Sequence, residues 1–215
     1  MISDLPGLFV SFEGGDGAGK STQARLLGEW LTGLGREVVL TREPGGTELG
    51  HLLRDAVLHG DHVDARTEAL LYATDRAHHV ASLVRPALER GAVVVTDRYL
   101  DSSVAYQGSG RDLGADEVER LSLWATDGLL PALTVLLDLD PVTGKARLTG
   151  DPDRLERAGD DFHRRTRQAF LDRAAADPGR WLVLDATLPP DELAARVRAR
   201  VAELLGLDSP AAARP

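Results

Sequence analysis

Cysteine is missing altogether from the 215 residues, which excludes a disulfide framework, a thiolate metal site and a cysteine nucleophile. Lysine is nearly missing: of 25 basic residues only Lys20 and Lys145 are lysine, so a lysine that persists marks a place to look. No apolar run reaches the roughly 18 residues that a membrane helix needs. The start of the chain, Met1 to Gly7, lacks the basic residues and long apolar stretch of a signal peptide, so a cytoplasmic protein is expected. A formal net charge of −9 provides no basic face for coating duplex nucleic acid, and neither a nucleic-acid nor a membrane partner is expected.

What is present is the composition of a soluble globular protein, 43% hydrophobic and 27% charged. The length fits one domain, expected over residues 1–207, with an alanine- and proline-rich tail, Asp208–Pro215, expected to fray. Five short runs, Leu8–Phe12, Val38–Thr41, Ala92–Thr96, Leu133–Leu139 and Trp181–Leu184, are apolar on nearly every residue. That pattern suits parallel strands buried on both faces. Helical periodicity fills the intervals at Lys20–Leu34, Thr47–Leu58, Thr67–Glu89, Asp116–Ala125, Asp161–Ala176 and Pro190–Leu205. The alternation predicts a doubly wound α/β fold, a five-stranded parallel sheet with helices on both faces. Arg42–Thr47 reads as a glycine- and proline-bearing loop. Thr149–Asp160 is polar and rich in turn residues, the pattern of a surface lid.

The first strand runs into Gly14-Gly15-Asp16-Gly17-Ala18-Gly19-Lys20-Ser21, a complete G-x-x-x-x-G-K-[ST] motif, followed by Thr22 and a helical pattern. The glycines allow backbone N–H groups to wrap phosphate oxygens, and the following helix presents its positive end. In this P-loop, Lys20 is expected to neutralise the β- and γ-phosphates of ATP and the Ser21 hydroxyl to ligate Mg²⁺. A switch, a motor and a kinase all remain open on that motif alone. The N/T-K-x-D element of guanine-specific switches is missing, since Lys145 is flanked by Gly144 and Ala146, and the chain is short for a large motor. A small kinase needs an acceptor site and a lid that excludes water. The valine-rich third strand ends in Asp97-Arg98-Tyr99, where α/β sheets bind ligands. Asp97 is placed to hold Mg²⁺ or a water bound to it, and Arg98 to grip a phosphate with its planar fork. Tyr72 and Arg76 lie four residues apart, so on a helix they share a face and could clasp one base. His78 and His79 read as surface or packing residues, and Arg164, Arg165 and Arg167 as an exposed helix face.

The ordered run of FEGGDGAGKST, TREPGGT, LLYATDRAHH, DRYLDSSVAYQG, LLDLDPVTGKAR, DPDRLE and FHRRTRQAF, from Leu8 to about Leu205, resembles the thymidylate kinases. The resemblance implies a P-loop NTPase fold with a short arginine-bearing lid near residues 147–160, ATP and dTMP as substrates, Mg²⁺, and a homodimer in which the helices around Thr67–Glu89 and Asp116–Ala125 could form the interface. By position it implies that Asp16 faces the γ-phosphate and the acceptor phosphate, and that Glu43, Pro44 and Gly45 border the dTMP site. Tyr72 stands where the family usually stacks phenylalanine on thymine, and Arg76 is expected to donate to a thymine carbonyl. Arg98 would bind the dTMP phosphate near Ser102 and Ser103, Tyr106 would pack beneath the sugar, and Gln107 would help to hold the base. The P-loop carries no arginine, so the resemblance places a catalytic arginine in the lid: Arg147, Arg154 or Arg157, with Arg154 of DPDRLE best matching the family pattern. Another kinase of the same fold, acting on a different nucleotide or nucleoside, is the nearest alternative; a nucleotide-hydrolysing switch is the second.

Overall fold

The structure, a computed structural model, describes residues 5–149 and 151–207. The expected frayed tail Asp208–Pro215 and the lid residue Gly150 therefore lie outside the described residues. The strands are β1 Leu8–Glu13, β2 Val38–Arg42, β3 Val93–Asp97, β4 Leu133–Asp138 and β5 Trp181–Asp185. They pair in parallel in the order β2-β3-β1-β4-β5. Helices α1 Lys20–Gly33, α2 Glu48–Leu58, α3 Ala65–His79, α4 Arg85–Glu89, α5 Leu100–Ser103, α6 Ala115–Ala125, α7 Pro141–Arg147, α8 Asp160–Ala176 and α9 Pro190–Leu204 follow the crossovers.

Side-chain alternation along the central strands divides the core. Val10, Phe12, Val95 and Leu137 pack with Leu27, Leu31, Val197 and Val201 from α1 and α9. Phe9 and Val94 point the other way, onto Val84, Leu88, Leu100 and Val104. Each such side chain contributes about 1.5–3 kcal/mol by leaving water. Burial on both faces, expected of all five strands, holds for β1, β3 and β4. The edge strands depart from it: Leu40 of β2 is 50% and Val183 of β5 is 45% exposed, because each edge has a neighbour on one side only.

Local chemistry sets the helix starts. Thr47 accepts from the Gly50 N–H and caps α2, Asp64 accepts from Arg66 and Thr67 and caps α3, and Asp140 accepts from Val142 and Thr143 and caps α7. The long helix expected over Thr67–Glu89 is continuous but widens into a π-helical turn at Val80–Val84. Pro86, which brings no N–H, follows at the start of α4. Two helical segments lie outside the sequence expectation: α7, and α5 with its π-helical extension Val104–Gly110. The segment after Gly150 also differs from a detached surface lid. Leu155 is buried with Val57, Leu58, Tyr72 and Tyr106, so this stretch is docked on α2 and α3.

Candidate active site

The P-loop turns between β1 and α1 at the carboxyl ends of the strands. Gly14 has φ +134°, and a Cβ there would meet the Leu137 carbonyl oxygen at 2.4 Å. Gly17 has φ +76°, and its Cβ would meet the Gly144 oxygen at 2.3 Å. Only glycine relieves both the dihedral and the collision, which is why these two positions carry it. No side chain caps the N-terminus of α1, where Gly19 takes the left-handed conformation. The first-turn N–H groups are thus left without a side-chain acceptor. Lys20 is buried, and its Nζ donates to the Gly15 carbonyl at 2.7 Å. Burial pushes the ammonium pKa down and the Arg98 cation adds to this, against the opposing pull of Asp16 and Asp97. Ala18 is buried, Gly15 is half-buried, and Ser21 and Thr22 are exposed at the helix start. Ser21 Oγ donates to Asp97 Oδ2 at 2.5 Å, joining the two residues expected at a metal. A hydroxyl and a carboxylate are hard oxygen donors of the kind that Mg²⁺ accepts, so this pair fits the ion the fold family implies.

Arg98 follows β3 with φ +70°, a left-handed conformation that turns its side chain back across the P-loop. Its N–H donates to the Phe12 carbonyl at 2.9 Å, which ties the turn to β1. Nη1 donates to the Gly14 carbonyl and to Ser102 Oγ, and Nη2 to Asp16 Oδ1 and the Tyr106 hydroxyl. The guanidinium also sits 5.0 Å from the Tyr106 ring centroid. Burial acts to raise the Asp16 pKa, but the Arg98 and Lys20 charges hold it below the usual carboxylate range.

Beneath this cluster lies Glu13, fully buried, which sequence reasoning did not single out. It accepts from the Tyr99 N–H at 2.8 Å and from Ser102 Oγ at 2.6 Å. Burial, and then the Asp101 carboxylate, push its carboxyl up to about 8. Asp101 itself takes Arg173 and Arg180 as partners.

A cavity of about 80 Å³ opens from Asp16 and Arg98 towards Tyr72, Arg76 and Gln107. Glu43, Pro44, Ser102, Ser103 and Tyr106 also line it. Gly45 sits behind, its N–H directed at Asp75 at 3.3 Å. Arg76 is 1% exposed and held on three sides: Nε to Glu43 at 2.7 Å, Nη1 to Ser122, and Nη2 to Ser103 and the Tyr99 carbonyl. Four of its five N–H bonds are so occupied, and one on Nη1 has no partner among the described residues. His79 is more than packing: it bridges Glu43 and Thr41 from a fully buried position, whereas His78 is exposed. The cavity also takes Arg54, Leu58, Asp153 and Leu155, which sequence reasoning missed. Arg54 offered a signal, since it lies on the helix that follows the Arg42–Thr47 loop and donates to the Pro44 carbonyl.

The three lid arginines are separated. Arg147 reaches the Gly17 carbonyl of the P-loop at 3.5 Å and the Ala186 carbonyl at 3.1 Å. Arg154 instead contacts Glu68 and the carbonyls of Val57 and Val63, none of them in the P-loop, and Arg157 is exposed. The arginine-bearing face of α8, expected to be exposed, is so at Arg164 and Arg165, although Arg165 also donates to the Gly110 carbonyl, while Arg167 is half-buried and binds both oxygens of Asp138. A larger cavity, about 350 Å³, lies between Asp16, the end of β4 and α8.

A family model described as thymidylate kinase matches residues 12–197. Relatives named thymidylate kinase include one from Leifsonia xyli subsp. xyli (strain CTCB07), 63% identical over 204 residues that cover 93% of this chain and 96% of the relative. Another, from Clavibacter sepedonicus, is 60% identical over 205 residues, 94% of this chain and 97% of the relative. One from Deinococcus radiodurans is 52% identical over 200 residues, 92% of this chain and 97% of the relative.

Proposed function

The chain belongs to the thymidylate kinase family, and from that premise we propose that it transfers the γ-phosphoryl group of ATP to the phosphate of dTMP, giving dTDP and ADP. The observation that carries the reading is the contact of Arg98 with Asp16, which sets an arginine fork between the P-loop and the cavity of Tyr72, Arg76 and Gln107. ATP would lie on the P-loop, its phosphates against the backbone N–H groups and the Lys20 ammonium. Mg²⁺, held through Ser21 and Asp97, would supply neutralisation of charge on the β- and γ-phosphates. The nucleotide acceptor would enter the cavity base first, with the Tyr72 ring against its face, the remaining Arg76 N–H on a carbonyl and Tyr106 under the sugar.

The acceptor atom is already an anionic oxygen, so no side chain has to remove a proton. Catalysis then consists of holding the two phosphates in line and stabilising charge on the transferring group with Lys20, Arg98 and a lid arginine. Arg147, at the P-loop carbonyl, is the lid arginine that this geometry favours for that task. A docked lid also keeps water, the competing acceptor, away from the site.

A homodimer is part of the proposal. Trp124 on α6 is 82% exposed and Leu70 on α3 is 55% exposed, and these two helices pack together, which supports a shared apolar face. Among the described residues no helix is long and apolar enough to cross a membrane, and a cytoplasmic site of action is proposed on the family's chemistry.

An ADP-release assay over a panel of nucleoside monophosphates and nucleosides tests the substrate assignment. ADP release that depends on dTMP is expected. Preference for dUMP or unphosphorylated thymidine would replace the acceptor, and turnover independent of any acceptor would overturn the kinase reading.

A further inference from the structure

Glu68 stands one helical turn before Tyr72 on α3, 1% exposed, with no role in the chemistry described so far. Three side chains converge on it. Gln107 Nε2 donates to Oε1 at 2.9 Å, Arg111 donates to both oxygens at 3.3 and 3.2 Å, and Arg154 Nη2 pairs with Oε2 at 2.8 Å. Arg154 is anchored beyond this ion pair. Its backbone N–H meets the Leu58 carbonyl at 3.4 Å, and its Nε and Nη1 donate to the Val57 and Val63 carbonyls at 2.9 and 3.5 Å. The side chain is 14% exposed. Its neighbours Asp153 and Leu155 line the acceptor cavity, with Leu155 packed in the same apolar cluster as Tyr72 and Leu58.

We propose that Arg154 is a positioning residue of the acceptor site: clasped to Glu68, it closes the lid over the base-binding end of the cavity and holds Gln107 in place. The inference rests on the reading of that cavity as the dTMP site. It assigns Arg154 a task different from the phosphate-facing one that its position in DPDRLE suggests. The physical case is where its guanidinium is anchored. Nε and Nη1 donate to the Val57 and Val63 carbonyls and Nη2 lies 2.8 Å from the buried Glu68 carboxylate, so the charge is held at α2, the α2–α3 connection and α3. A buried Glu68 carboxylate, in turn, needs compensation, and Arg154 and Arg111 supply it together. The clasp therefore couples lid position to the side chain that grips the base, and its effect should be on acceptor affinity.

The test compares wild type with Arg154→Ala, Arg154→Lys, Glu68→Gln and the Arg154→Ala/Glu68→Gln pair in the full chain. KM for dTMP, KM for ATP and kcat come from coupled assays, and the dTMP dissociation constant from calorimetry without ATP. Arg154→Ala is expected to raise the dTMP dissociation constant and KM about tenfold or more, with ATP KM within about twofold. Arg154→Lys should recover part of the loss, and the double variant should be little worse than Glu68→Gln alone, since both changes break one link. A fall in kcat of about a hundredfold with dTMP affinity unchanged would overturn the proposal and return Arg154 to the transferring phosphate. Unchanged kinetics and affinity in Arg154→Ala, with wild type fully active on dTMP, would also overturn it while leaving the kinase reading intact. A wild type that neither binds nor phosphorylates dTMP would remove both. Thermal melts keep the result readable if Glu68→Gln loosens the fold, because the two Arg154 variants leave the buried carboxylate with Arg111.

Discussion

Arg98 Nη2 donates to Asp16 Oδ1 at 2.5 Å, so the side chain at the end of β3 closes on the middle of the P-loop. The pair is partly buried, 17% and 27% exposed, where screening by water is weaker than at the surface. Nε takes no protein partner among the described residues, and an incoming phosphate could take it together with a donor released from Asp16.

Arg98→Ala should therefore lower kcat/KM for dTMP by about 10²–10³-fold, the scale of losing one donor aimed at transition-state charge. Arg98→Lys should regain little, because a compact ammonium lacks the planar fork that spreads donors between Gly14, Ser102 and a phosphate. Steady-state kinetics with dTMP as the varied substrate measure both. Near-normal turnover in the alanine variant would discard the role.

Glu13 gives a pH dependence with a definite sign. Its carboxyl is raised by burial and by Asp101 from about 4.5 to about 8, so across that window the native state holds a proton that the unfolded chain has released. Stability contributed at this site falls as pH rises through the window and levels off above about 8. Glu13→Gln keeps one carbonyl acceptor for the Tyr99 N–H at the cost of the acceptor that Ser102 Oγ uses, and removes the titration. Urea melts should show the variant gaining on wild type between pH 5 and 8. A constant difference across that range would mean that Glu13 is ionised throughout.

The elements built from local signals were legible in the sequence, and those built from distant partners were not. The P-loop, the five strands and the Asp97-Arg98 turn follow from a contiguous motif, apolar runs and strand ends. Even α7 had a signal that was passed over, since Asp140 and Pro141 are a helix N-cap and a first-turn proline. The helix at Leu100–Ser103 had none: DSSVAYQGSG is rich in serine and glycine, poor formers, and is held helical by packing against α6 and α8. Glu13, Glu68 and His79 become informative only once burial and partners are known. Arg154 lies in the right motif, but the direction of its side chain is set by Glu68, 86 positions away in the chain and adjacent in space.

Asp101 is the strongest stability prediction. It is fully buried between Arg173 and Arg180, which remain 16% and 12% exposed, and it accepts from both at 2.6–2.7 Å. Burial would raise its pKa, but the two guanidiniums overcome this and hold it below the usual carboxylate range. Asp101→Asn leaves Arg173 with Glu119 and Arg180 with Asp177, so neither cation is wholly unpaired, and the loss is expected at about 3 kcal/mol, the low end for breaking a buried ion pair. The depressed pKa fixes how that cost varies with pH. Stabilisation from Asp101 is complete above the unfolded value, near 4, and is lost as pH falls through the native one. Urea melts should show the largest gap between wild type and variant at neutral pH and a narrowing gap below about pH 4. The same substitution removes the like charge that helps to raise Glu13, so the Glu13 titration should move down in this background. A gap that persists undiminished into acid would assign the loss to packing, and an unmoved Glu13 window would show that the two carboxyls do not sense each other.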